Sequence, residues 1–215
     1  MIMEGKSMET RKLVLKDMVP AAITSILAIL KPAGMALIFA IPYLLIEKGI
    51  AKKSAYDLGF RMKNIPGDIK RYWWLILAPM LSGIVAVLFS KLILPEFYEH
   101  VLNRISPMLS FDKAPLLLVQ LLILSFGEEI AFRAFLQTKL SGILNPAWGI
   151  IVTSALFAAG HFSAGSATVI LYDLVFIFID STLYGVLYHE TKNVFACAIS
   201  HFLANLIGVF TLLVV

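Results

Sequence analysis

The residues best placed to do chemistry are ionisable and amide side chains set inside apolar runs: Glu128, Glu129, Arg133, His161, Asp173, Asp180, His201 and Asn205. Each is costly in hydrocarbon, so such a group normally faces a bundle interior or a water-filled cavity and is a functional candidate by default. Several must satisfy one another, which predicts one shared cavity. Glu129 and Arg133 are four apart, on one helical face, with the acid N-terminal to the base, the order that favours an ion pair. Glu128 is rotated about 100° from Glu129 on an ideal helix, so it points elsewhere while its neighbour is neutralised. Two adjacent carboxylates in different environments are the pattern of an acid/base catalyst beside a structural partner. In Phe157-Ala158-Ala159-Gly160-His161 the small Gly160 leaves room beside the imidazole, and His201 and Asn205 share a face by their spacing of four. An imidazole and an amide can both donate to one oxygen.

A carboxylate and a histidine to activate water, with donors to hold an oxyanion, are the parts of a hydrolase. No serine or cysteine nucleophile with a nearby base is evident. Cys197, four residues before His201, reads as a small thiol packed between helices. Glu128, His161 and His201 would equally make a two-histidine, one-carboxylate zinc set with an open position for water. The chain contains no His-Glu-x-x-His, and spacing alone does not choose between a metal and a metal-free site.

The elements that must position these groups are membrane helices. Of 215 residues, 60% are hydrophobic and 15% charged, against roughly 45–50% and about 25% in soluble proteins. Disorder and a secreted disulfide scaffold are excluded, the latter because there is one cysteine. The net charge of +4 does not indicate nucleic acid, since the cations lie between apolar runs where membrane topology explains them. A polar tail of 17 residues precedes an apolar stretch, Met18 to Ile46, broken by Lys31 and Pro32. It is too short for two crossings of roughly 20 residues, so it reads as an interfacial or kinked entry with Pro32 as the kink, followed by one span. A cleaved leader is not expected, because the apolar pattern resumes directly after Lys31.

The basic loop from Glu47 to Arg71 should be cytoplasmic, with Trp73 and Trp74 as interfacial anchors where the next run, Tyr72 to Leu94, begins. Pro95 to Lys113 reads as a loop in which His100 is solvated. Four further segments follow, at 114–140, 146–162, 167–188 and 194–215. The fold class expected is all-α: a polytopic transmembrane helical bundle of six to eight membrane helices around a central cavity. Lipid admits only helices or closed barrels, and barrel-type alternation is absent.

Three motifs in order resemble those of the CAAX protease and bacteriocin-processing (Abi) membrane proteins, which include the type II CAAX prenyl endopeptidases. Glu128-Glu129-x-x-x-Arg133 is similar to E-E-x-x-x-R, Phe157-x-x-x-His161 to F-x-x-x-H, and His201-x-x-x-Asn205 to H-x-x-x-N. The resemblance spans roughly 114–215. It implies a catalytic core there, preceded by a polar tail (1–17) and N-terminal membrane segments (18–113), in one membrane domain. It further implies a membrane-embedded, metal-independent glutamate endopeptidase without a cofactor. By the same resemblance Glu128 and His161 are the residues that activate water, and His201 and Asn205 those that stabilise the oxyanion. Glu129, Arg133 and Phe157 support the site. Ala134, Lys192 and Cys197 depart from residues common in the family, which bears on the turn before the last helix and leaves the catalytic set complete.

The reading that follows is an integral, multi-pass membrane protease, in the cell membrane if the source is prokaryotic. It would cleave near the C-terminus of a membrane-associated peptide or protein substrate, which in part of the family carries a prenyl group on a C-terminal cysteine. The expected partners are that substrate and the lipid bilayer, with no nucleic acid. The competing class is a non-catalytic immunity or scaffold protein with the same cavity; the zinc-dependent protease is a further alternative, and a transporter or proton channel comes third. Asp173 and Asp180 read as structural.

Overall fold

The computed structural model describes residues 17–27, 35–107 and 109–214. Helix α1 (Asp17–Leu27) and α2 (Met35–Ile50) are followed by a 3-10 turn (Met62–Asn64) and the long α3 (Ile65–Ile93). A short α4 (Glu96–Ile105) leads to α5 (Ala114–Glu129), which continues through a π-helical stretch (Ile130–Gln137) into α6 (Thr138–Ile143). Then come α7 (Pro146–Gly160), α8 (Ala167–Thr191) and α9 (Val194–Val214). Every regular element among the described residues is helical, as expected.

Local chemistry sets these boundaries. Proline stands in the first turn of α3, α5 and α7, where its missing N–H costs nothing and its fixed φ suits the helix. Asn145 caps α7 by accepting from the Trp148 N–H at 3.0 Å, and Ser166 caps α8 through Val169. The α8–α9 turn passes through Lys192 at φ 50°, ψ 36°, the left-handed C-cap conformation that glycine adopts most cheaply.

Four helical stretches are long and apolar enough to cross a membrane: 62–93, 114–143, 167–191 and 194–214. Their outer faces carry exposed large side chains such as Leu81, Phe89, Leu122 and Ile123, the surface a bilayer covers. The chain is an integral membrane protein. Helix α9 is the hub of the interior, packed against α3, α5 and α8, while α7 packs on α8.

The chain also differs from its sequence reading. Helix α3 begins at Ile65 and bends at Tyr72 (φ −117°, ψ 25°), so the end of the basic stretch is helical. The 95–113 connection contains α4, whose Phe97, His100 and Val101 are buried, and His100 is therefore not solvated. Lys31 and Pro32, the proposed kink, lie outside the described residues. From this region the structure describes two helices of 11 and 16 residues, on either side of that break. Their outer ends meet: Lys139 Nζ donates to Asp17 at 2.8 Å and to Glu47 at 2.6 Å, so residues 17 and 47 lie at the same face of the bundle. That face also holds the 47–71 connection, tied to the α8–α9 turn by Arg61 donating to the Thr191 carbonyl and Asn193 donating to Asp68. Helix α4 and the α7–α8 loop sit at the opposite end.

Candidate active site

Glu129 ends α5 and is fully buried. One of its oxygens accepts from Arg133 Nε at 3.1 Å, and the other is 2.9 Å from His201 Nδ1. Arg133, also fully buried, donates to Ser181 on α8 at 2.7 Å and reaches Gln137, whose amide donates to the Gly185 carbonyl. A buried charge is tolerated only when paired and hydrogen-bonded, and here one ion pair with its partners joins α5, the π-helical stretch, α8 and α9. Arg133 also lies over the rings of Phe157 (5.6 Å) and Tyr184 (6.0 Å). Phe157 in turn packs edge-on against Phe132 and against His201, and Tyr184 stacks on His201 at 4.8 Å. All eight residues of Ile130–Gln137 are buried, and a π-helical turn inside a helix is frequently found at functional sites.

Glu128, one residue earlier, points away from this pair. Its side chain is 29% exposed and its Oε2 lies 3.6 Å from His201 Nε2, beyond hydrogen-bonding distance. It lines a cavity of about 250 Å³ together with His161, Asp180, His201 and Asn205. His161 is the C-cap of α7, with Nδ1 at 2.9 Å from the Phe157 carbonyl. A carbonyl only accepts, so Nδ1 carries the proton and Nε2 presents a lone pair. Asn205 donates to Ser125 at 3.1 Å, which orients its amide. The rest of the lining, from α3, α4, α5, α8 and the second half of α9, is largely apolar apart from Arg104 and Asp173.

The eight polar groups picked out from the sequence divide in two. Glu129 and Arg133 form the buried brace; Glu128, His161, Asp173, Asp180, His201 and Asn205 all line the one cavity. Phe157 is the packing centre between Arg133 and the two histidines. Cys197 is buried with its thiol near the Tyr184 carbonyl. Asp173 is committed to an ion pair with Arg104, while one oxygen of Asp180 is buried without a hydrogen-bond partner among the described residues. Sequence reasoning missed Arg104 and His100. Both lie in a stretch that reads as a polar loop, and only their placement on α4 with Phe97 and Val101 turns them inward; the amphipathic spacing of Phe97, Val101 and Arg104 is the signal that was there to be read. Burial lowers Arg104 to about 10, which leaves it cationic at neutral pH. No group of three His, Cys, Asp or Glu side chains among the described residues is arranged to hold a metal ion.

This architecture defines an integral membrane helical bundle with a carboxylate, histidine and amide cluster around an internal cavity. Residues 110–207 match the family model for the type II CAAX prenyl endopeptidase Rce1-like proteins, so this part of the chain is similar to that family. The matched region runs from just before α5 to Ile207 on α9 and contains every site residue named above except Arg104 and His100. Neither the curated proteins nor the solved structures give a match to the chain.

Proposed function

We propose that this protein is a multi-pass intramembrane endopeptidase in which Glu128 activates water to cleave a peptide bond near the C-terminus of a membrane-associated substrate. The observation that carries this reading is the separation of two adjacent carboxylates. Glu129 is consumed by Arg133 and His201, and Glu128 is left facing the cavity beside an imidazole whose free nitrogen is an acceptor.

In this mechanism a water between Glu128 and His161 Nε2 attacks the scissile carbonyl carbon as its proton passes to Glu128. The carbonyl oxygen becomes an oxyanion and accepts hydrogen bonds from His201 Nε2–H and Asn205 Nδ2–H. For Nε2 to donate while Nδ1 serves Glu129, the His201 ring carries both protons, and Glu129 stabilises that cation. The C–N bond then breaks as Glu128 returns its proton to the leaving amine. Arg133 and Phe157 keep Glu129 and both rings in register. The apolar lining suits a lipid-bearing or strongly hydrophobic substrate segment, and a prenylated C-terminal cysteine is the substrate that the family description suggests.

The test compares peptide termini in membranes of cells carrying the wild-type chain and cells carrying a Glu128→Gln variant of equal expression. New C-termini that depend on Glu128 and persist under chelation are expected, and their positions identify the cleavage rule. Identical termini with a retained cellular phenotype would overturn the protease reading in favour of an immunity or scaffold role. Cleavage lost together with stoichiometric zinc under chelation would replace the metal-free mechanism by a zinc one.

A further inference from the structure

His161 stands at the start of the α7–α8 loop, and that loop is gripped by a second histidine. Ser163 Oγ lies 3.2 Å from His100 Nε2, and the backbone of Ala164 hydrogen-bonds the same ring. A Cβ placed on Gly165 would come within 2.8 Å of His100 Nδ1 and 3.2 Å of Cε1, so glycine is what lets the chain close over the imidazole. Three consecutive residues therefore wrap one ring. That ring is buried on α4 beside Asp173, whose carboxylate is ion-paired with Arg104 one turn further along the helix. Burial and the neighbouring Arg104 hold His100 below its usual value, so it is neutral near pH 7. A neutral imidazole has one donor and one acceptor, enough to donate to the Ala164 backbone and to accept from the Ser163 hydroxyl.

We propose that His100 is a positioning residue, which by clamping Ser163, Ala164 and Gly165 fixes the loop that carries His161 and so the aim of the His161 ring into the cavity. This rests on the role given to His161 in the proposed mechanism. His161 has its own tie to the Phe157 carbonyl, but as the C-cap it also belongs to the loop, and α7 itself ends at Gly160.

The chain has four histidines, which makes the test direct. Full-length protein labelled with ¹⁵N-histidine is placed in phospholipid nanodiscs, and the His161 ring signal is assigned with His161→Gln. In His100→Leu and in Gly165→Ala the His161 signal is expected to shift or split while those of His189 and His201 hold. His100→Gln, which keeps a donor and an acceptor, should restore most of the wild-type signal. With any substrate found through Glu128-dependent cleavage, His100→Leu should lower kcat about 10- to 100-fold with little change in KM, as for other losses of an orienting contact. An unchanged His161 signal in the folded His100→Leu protein would overturn the proposal. So would movement of all the histidine signals with a loss of helicity, which marks a merely structural residue. If no Glu128-dependent cleavage exists, the protease reading fails, and the His161 signal still decides the clamp.

Discussion

Glu129 commits one oxygen to Arg133 and one to His201, whereas Glu128 keeps a partly exposed carboxylate in the cavity. Replacing either glutamate therefore has a different consequence. Glu129→Ala strands the fully buried Arg133 guanidinium, and removing one partner of a buried pair costs about 3–5 kcal/mol. Glu128→Gln removes no structural partner and should leave stability within about 0.5 kcal/mol of wild type, as for substitutions away from packed features. Thermal unfolding in detergent separates the two: a large fall for Glu129→Ala with none for Glu128→Gln is expected, and equal falls would contradict the division of labour. The spacing of four between Glu129 and Arg133 made their pairing legible in the sequence. The bond from Glu129 to His201 was not, because it crosses 72 residues and depends on how α5 and α9 pack.

At the scale of elements, two close approaches set the geometry. Lys192 takes the left-handed conformation at the end of α8 although it is not glycine, and the turn is held by Thr191, whose hydroxyl accepts from the Asn193 N–H at 3.2 Å and donates to the Leu187 carbonyl. Left-handed backbone costs a non-glycine residue about 1 kcal/mol, so Lys192→Gly should raise stability by roughly that amount, less the entropy glycine adds to the unfolded chain. An unfolding midpoint that falls would show that the Lys192 side chain does more than cap. Gly149 at the start of α7 meets the Ser141 backbone, with Cα and N only 2.8 Å from where a Cβ would stand. Gly149→Ala must push α6 and α7 apart, and overpacking of this kind costs about 1–3 kcal/mol, again read by thermal unfolding. Helices α5, α7, α8 and α9 were visible in the sequence because their apolar runs are long and sharply ended, whereas the π-helical stretch and α6 were merged with α5 into one segment. Helix α4 was not visible, since ten residues of mixed composition look like a loop until they are packed.

At the scale of the whole molecule, charge and cavity sit at opposite ends. The basic 47–71 connection, Lys139 and Lys192 share one face with residue 17, the end of the polar tail, while the cavity lies in the half nearer α4 and the α7–α8 loop. Excess lysine and arginine marks the cytoplasmic side, so a cysteine introduced at exposed Lys63 should resist an impermeant thiol reagent in intact cells and react after lysis. That result puts the cavity in the half of the bilayer away from the cytoplasm, the side from which the substrate of the proposed protease would enter. Labelling of intact cells would instead turn the cavity toward the cytoplasm, where a cytosolic prenylated substrate could reach it. The native Cys197 is buried and does not interfere.

By itself the sequence determined what periodicity and hydrophobic cost can determine: membrane helices, polar residues that must find one another inside them, and the pairing of Glu129 with Arg133 within a single helix. Those are local consequences of spacing and of a solvent that rejects charge. Tertiary structure decided what depends on which helices meet. It brought His201 to Glu129 and left Glu128 facing a cavity, folded residues 17 and 47 back to one face through Lys139, and turned His100 and Arg104 from an apparent loop into the interior. Side chains far apart in the chain meet only through packing, and no local pattern encodes that register.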